Sequence, residues 1–227
     1  DKLINRKRII LRELQQRLLW FITLRWWVPP AIVAGVFVAK ALGFEFAAGE
    51  VILVSVFILA YNVAFHFWSY RIAGDLVEHE NYIIRFTYYQ VVLDYVAMFL
   101  LIHLTGGAAS PFIFFFIFHI IFASILLRPT SSFVFAAIAG VGMIVVAVAE
   151  YMQWVPHHPV VFRDASINLA SQPVHVAVEL AFFNTSVFVT AFFATTIVRM
   201  LRKRILRLRK LSETLSEMNK KLNALFS

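Results

Sequence analysis

Ile113–Leu127 reads IFFFIFHIIFASILL, an apolar run interrupted by one histidine and one serine. A membrane-spanning strand would alternate apolar and polar residues over about ten positions. This stretch has no such alternation, so it reads as a helix and argues against a β-barrel. The rest of the chain has the same character: 61% of its 227 residues are hydrophobic and only 15% are charged, where an ordinary soluble domain carries roughly 25% charged residues. A hydrocarbon core of about 30 Å needs about 20 mainly apolar residues per helix. Six segments qualify, near 20–43, 50–70, 83–105, 111–128, 131–154 and 174–200. The expected fold is an all-α membrane protein with six transmembrane helices.

Lys and Arg are retained on the cytoplasmic side of a membrane. With both termini cytoplasmic, all of the 21 Lys and Arg fall inside except Lys40 and Arg163, with Arg25 counted among the basic residues before the first span. That pattern fits a multi-pass membrane protein with both ends facing the cytoplasm. It also explains the net charge of +8: the basic residues flank spans and suit membrane lipid headgroups, so nucleic acid is not an expected partner. There is no cysteine, which excludes disulfides, thiol redox sensing and thiolate metal sites.

Three regions are expected. Residues 1–19 form a cytoplasmic amphipathic juxtamembrane helix, with Leu3, Ile4, Ile10, Leu11, Leu14 and Leu18 on its apolar face. Residues 20–200 form the six-helix domain. Residues 201–227 form a signalling helix with a seven-residue repeat, in which Leu201, Leu208, Leu215 and Leu222 occupy one seam position and Arg204, Leu211, Met218 and Leu225 the other, broken only by Arg204. Such a seam needs a partner, so the sixth helix is expected to continue into a parallel coiled coil of a homodimer. The alternative is a single helix lying on the inner leaflet. The chain opens at Asp1 without methionine and stops inside the repeat, so it is expected to be a piece of a longer protein with an output domain beyond Ser227.

Polar residues inside a bilayer are costly and turn toward a protein interior or cavity. Ser55, Asn62, His66 and Ser69 share one face of the second span; Thr87, Gln90, Asp94 and Thr105 share one of the third; His175, Glu179, Ser186 and Thr190 share one of the sixth. Asn62, His66, Gln90, His119, Glu179 and Ser186 form a candidate intramembrane polar network, against the plainer alternative of interhelical hydrogen bonds. His66, His103 and His119 invite haem, but no two lie at one depth, and haem is the weaker assignment. His157 and His158, adjacent between two prolines, read as a solvated loop, and no metal site is expected.

The turn before the opening run is TGGAASPF, Thr105–Phe112. Gly106 and Gly107 permit backbone conformations closed to other residues and close approach of a ligand. Pro111 suits the first turn of a helix, and the amide of Phe112 is placed to donate to a carbonyl. With the phenylalanines behind it, Phe115 among them, the turn suits a lipid-soluble ring bearing carbonyl groups; a plain helical hairpin is the alternative.

GGAASPF, residues 106–112, resembles the GGxxNPF heptapeptide of the quinone-sensing, redox-responsive (Reg/Prr-type) membrane histidine kinases, and LDYVAMFLLIHLTGG, residues 93–107, resembles their third span. The six-span sensor kinases that control pilus genes are related and have a looser glycine-rich turn here. The resemblance implies a sensor and transmission module of a two-component histidine kinase in a bacterial cytoplasmic (inner) membrane, with ubiquinone or a similar quinone near Gly106, Gly107, Pro111 and Phe112; Ser110, Phe115, Asp94 and Thr105 are further candidate residues of that site. Ser110 stands where that family commonly has Asn. A downstream kinase domain and its response regulator would be partners. No phosphoacceptor box or ATP-binding box is present, so the chain itself is expected to catalyse nothing. The competing expectation, closer to the pilus kinases, is an intramembrane module that senses a membrane-protein partner or the bilayer; a transporter is disfavoured by the absence of repeats.

Overall fold

The computed structural model describes residues 15, 16, 18–71, 80–127, 129–162, 165–167 and 172–226. Most of the expected juxtamembrane helix, most of the acidic connection after the second span, Arg128 and Arg163 lie outside the described residues. Six apolar helices follow in order among those described: α1 (Leu18–Ala41), α2 (Ala48–Arg71), α3 (Glu80–Leu104), α4 (Phe115–Leu126), α5 (Ser131–Tyr151) and α6 (Pro173–Leu225). Five are long and apolar enough to cross a bilayer. The shorter α4 is preceded by a 3₁₀ turn at Pro111–Phe114. Helix and turn together rise about 26 Å, close to the hydrocarbon thickness.

Helix α1 is broken once. Trp26 and Trp27 bond back three residues, to Thr23 and Leu24, because Pro29 and Pro30 follow and donate no N–H to the ladder. Arg25 is the residue just before the break.

Helix α3 stands between two packed groups. On one side Ile22 of α1, Val51, Ile58 and Phe65 of α2, and Ile83 and Leu101 of α3 itself are buried together. On the other, Ile102 packs with Phe116 and Ile120 of α4, Ala136 and Met143 of α5, and Val187 of α6. Lipid is as apolar as these side chains, so association depends on close approach and polar bonds more than on escape from solvent. Gly140 illustrates the first: a Cβ there would collide with the Asn184 side chain, so Asn184 of α6 packs directly on the α5 backbone.

Polar bonds fasten α6 at the other end of the same pair. Thr195 Oγ1 donates to the Pro129 carbonyl at 2.7 Å and lies 2.7 Å from Ser132 Oγ. Arg202 Nη2 donates to the Leu127 carbonyl at 3.1 Å, at the C-terminal end of α4. The start of the tail is thus tied to α4 and to the turn that follows it.

No glycine or proline occurs between Val174 and Phe226, and α6 runs unbroken for 53 residues. That is about 80 Å, so more than half of it projects beyond a bilayer. Leu201, Leu208, Leu211, Leu215, Met218, Leu222 and Leu225 are each more than half exposed along it.

The connections after α1 and α5 meet in a small antiparallel sheet: β1 (Phe44–Glu45), β2 (Val160–Phe162) and β3 (Ala165–Ile167), with Phe44 opposite Phe162 and Val160 opposite Ile167. The β-branched and aromatic run at 160–162 favours strand, and the Phe44 and Phe162 rings meet at 4.6 Å. One expectation is corrected: the polar stripe of the sixth span does not turn inward. Phe183, Val187, Ala191 and Thr195 face the bundle, whereas Ser186 is exposed and Glu179 pairs with exposed His175 at 3.7 Å. Both faces of this helix carry apolar residues, and the small residues on one of them decide which packs.

Candidate ligand cavity and its charged head

A cavity of about 900 Å³ lies between α1, α3 and α4. Its walls are predominantly apolar. Trp27 on one flank and Phe115 and Phe118 on the other are themselves largely exposed, so the cavity opens sideways to the surrounding hydrocarbon. Phe44 of β1 and Val160 of β2 close the end nearest the glycine turn.

The polar residues of the wall converge on one ion pair. Arg25 Nη2 donates to Asp94 Oδ2 at 2.6 Å, and Tyr61 Oη donates to Asp94 Oδ1 at 2.7 Å. Arg25 Nη1 also points to Asn62 Oδ1 at 3.4 Å and Gln90 Oε1 at 3.5 Å, and its guanidinium lies 5.6 Å from the ring centres of Tyr61 and Phe65. Arg25 is only 6% exposed. Three helices therefore supply one pair: the break in α1 presents the cation, α3 the carboxylate, and α2 the phenol and amide that surround them. Gln90 lines the cavity beside them, fully buried, and its Nε2 has no hydrogen-bond partner among the described residues.

Arg25 overturns its assignment to the basic flank before the first span. It lies inside the bundle because a buried Asp94 needs an opposite charge. The third-span stripe is as expected: Thr87, Gln90 and Thr105 are buried on one face with Asp94.

The remaining site residues divide. Asp94, Thr105, Pro111, Phe112 and Phe115 line the cavity; Gly106, Gly107 and Ser110 do not. The Phe112 amide donates to Ser110 Oγ at 3.2 Å, so the turn caps its own helix start and that amide is already engaged. Ser110 Oγ also lies 2.6 Å from Thr105 Oγ1. Gly106 and Gly107 both have positive φ, +110° and +58°, as the sequence suggests. What approaches Gly107 is not a ligand: a Cβ there would collide with the Glu150 carboxylate.

Of the candidate polar network, Asn62 and Gln90 join Arg25. His119 lines the cavity, with Nδ1 at 2.9 Å from the Phe115 carbonyl. His66 is set apart, its ring edge-on to Trp26 at 6.0 Å. Glu179 and Ser186 belong to the outward stripe of α6 described above. His157 corrects the reading of its loop as solvated. Its Nδ1 lies 2.7 Å from Glu150 Oε2, while His103 Nδ1 lies 2.7 Å from Oε1 of the same buried carboxylate. Among the described residues no group of three His, Asp or Glu is arranged to hold a metal ion.

No curated protein and no solved structure matches the chain. One family model does, the PilS-like transmembrane domain, over residues 11–207. That match covers all six helices up to the first turns of the tail, and the chain belongs to the PilS-like family of six-span transmembrane sensor domains.

Proposed function

We propose that this membrane sensor domain reads the redox state of a quinone held in the cavity between α1, α3 and α4, and passes the result through α6 to an output domain. The observation that carries the proposal is the cavity itself: an apolar chamber of about 900 Å³, open to hydrocarbon, with a buried and unpartnered Gln90 Nε2 beside Arg25 at its polar wall. Ligand pockets are apolar chambers of this size with a few converging polar groups. A quinone carbonyl accepts from Gln90 Nε2, while the ring packs against His119 and Phe122 at that depth and the isoprenoid tail runs past Phe115 and leaves sideways between α1 and α4.

The two redox forms bind differently there. Oxidised quinone only accepts hydrogen bonds, and the guanidinium and the Gln90 Nε2 group only donate. Quinol brings O–H donors, which compete with Tyr61 and Arg25 for Asp94. A ligand shifts an equilibrium only by its difference in affinity between two states. Here the oxidised form holds α4 against α1 and α3. Arg202 on Leu127 and Thr195 on Pro129 then deliver a displacement of α4 to the base of the tail. In this proposal both termini are cytoplasmic in the bacterial inner membrane, and the leucine seam of α6 pairs with a second copy as a parallel coiled coil leading to a histidine kinase domain.

Organic extraction of the purified chain followed by mass spectrometry tests this. Wild type is expected to yield quinone near one equivalent, and Gln90→Leu about tenfold less, the effect of one hydrogen bond worth about 1.5 kcal/mol. Equal traces from both overturn the quinone assignment. The outward stripe of Glu179 and Ser186 on α6 would then be the surface for input from a membrane-protein partner.

A further inference from the structure

The quinone proposal makes no use of Glu150, a carboxylate only 3% exposed at the end of α5. It is shared by two imidazoles, His103 from the last turn of α3 and His157 from the segment after α5, each through Nδ1 at 2.7 Å. Neutral histidines in the Nδ1–H tautomer donate one hydrogen bond to each oxygen. The two histidines differ on their far side. His103 is 20% exposed, which gives its Nε2 a route to water. His157 Nε2 is buried and has no partner among the described residues. Three residues further on, Val160 lines the cavity and pairs with Ile167.

We infer that His103, Glu150 and His157 form a proton-operated latch, so that the domain has a second input: acidity at the end of the bundle opposite the tail. The inference does not depend on the identity of the cavity's ligand. A proton on His103 makes the cluster neutral; one on His157 then finds the carboxylate already compensated and places an N–H where no acceptor lies among the described residues. A buried donor without an acceptor is unstable. The His157 ring therefore leaves, taking residues 155–162 with it and loosening Val160 at the end of the cavity.

The other titratable groups among the described residues do not supply the missing acceptor. The ring of His158 stands edge-on to His103 at 5.2 Å and adds a further positive charge in acid. The turns at Gly107–Ala109 and Pro111–Phe114 carry no charged residue. On α6, His175 and Glu179 pair with each other, and Glu45 lies on β1 opposite Val161. Arg163 and Asp164 lie outside the described residues.

The test is amide hydrogen exchange by mass spectrometry on the whole chain in lipid nanodiscs, at about pH 7.5 and about pH 5, corrected for intrinsic rates. Exchange in 155–162 is expected to rise about tenfold on acidification, with no change in the core of α2. His157→Gln is expected to lose the rise, and His158→Gln to keep it. An unchanged wild type, or a rise that survives in His157→Gln, overturns the inference. Should His157→Gln not fold, the wild-type His157 side-chain chemical shift decides: it must titrate over the same pH interval as the exchange.

Discussion

Asp94→Ala is expected to lose about 3–5 kcal/mol of stability, more than any substitution on the lipid-facing surface, because it leaves Arg25 buried without a counter-charge. Tyr61 and the Asn62 amide do not substitute for the carboxylate: the phenol presents a weak acceptor, and the Asn62 oxygen lies at 3.4 Å. Arg25→Ala is expected to be comparably damaging, since it removes the cation from Asp94. The pair Arg25→Met with Asp94→Leu removes both charges together, and replacing a buried ion pair by apolar groups is often nearly neutral. The double variant is therefore expected to be more stable than either Asp94→Ala or Arg25→Ala, which a thermal challenge in detergent read by size-exclusion recovery measures. If the double variant is the least stable, the pair is not what holds α1, α2 and α3 together. It should also hold the ligand more weakly, since Arg25 and Asp94 are gone from the polar wall and Gln90 remains.

Gly107→Val is expected to act at the opposite end of the bundle with a similar magnitude. A β-branched residue at φ +58° is strained by about 1–3 kcal/mol. Its Cβ also meets the Glu150 carboxylate, which must leave one or both histidines, and a hydrogen bond lost from a buried charged group costs about 1.5–3 kcal/mol. The same thermal challenge should show a fall of about 4 kcal/mol or more, and a smaller fall for Gly106→Val, which is also strained at φ +110° but whose Cβ position is crowded only by a Val160 methyl at 3.3 Å. A Gly107→Val chain as stable as wild type would mean that Glu150 is not held against the turn.

The helices were legible because length and apolar composition decide a membrane span almost alone. The stripe of Thr87, Gln90, Asp94 and Thr105 was legible for the same reason: polar residues in a span must turn inward. Arg25 was not. Counting it with the basic flank is the ordinary reading of an arginine near a span's start, and only the need of Asp94 for a counter-ion pointed the other way. Glu150 and His157 were hidden by distance in the chain from His103, since a shared carboxylate is a tertiary feature with no local spacing. The glycine turn was read correctly in its backbone and incorrectly in its purpose: the close approach that requires Gly107 comes from Glu150, and Ser110 satisfies the amide that had been reserved for a ligand. Glu179 and Ser186 have the right helical spacing for an inward face, but periodicity identifies a face without saying which way it turns.

The most direct test of the cavity as the sensor's input is photolabelling of the whole chain in nanodiscs with a quinone carrying a photoreactive group on its ring, followed by peptide mapping. Labels are predicted on α1 near Trp27, on α3 between Gln90 and Asp94 and on α4 near His119 and Phe122, saturating with dose and displaced by unmodified quinone more readily than by quinol. Labels spread over the lipid-exposed faces of α5 and α6, undiminished by competitor, would contradict it.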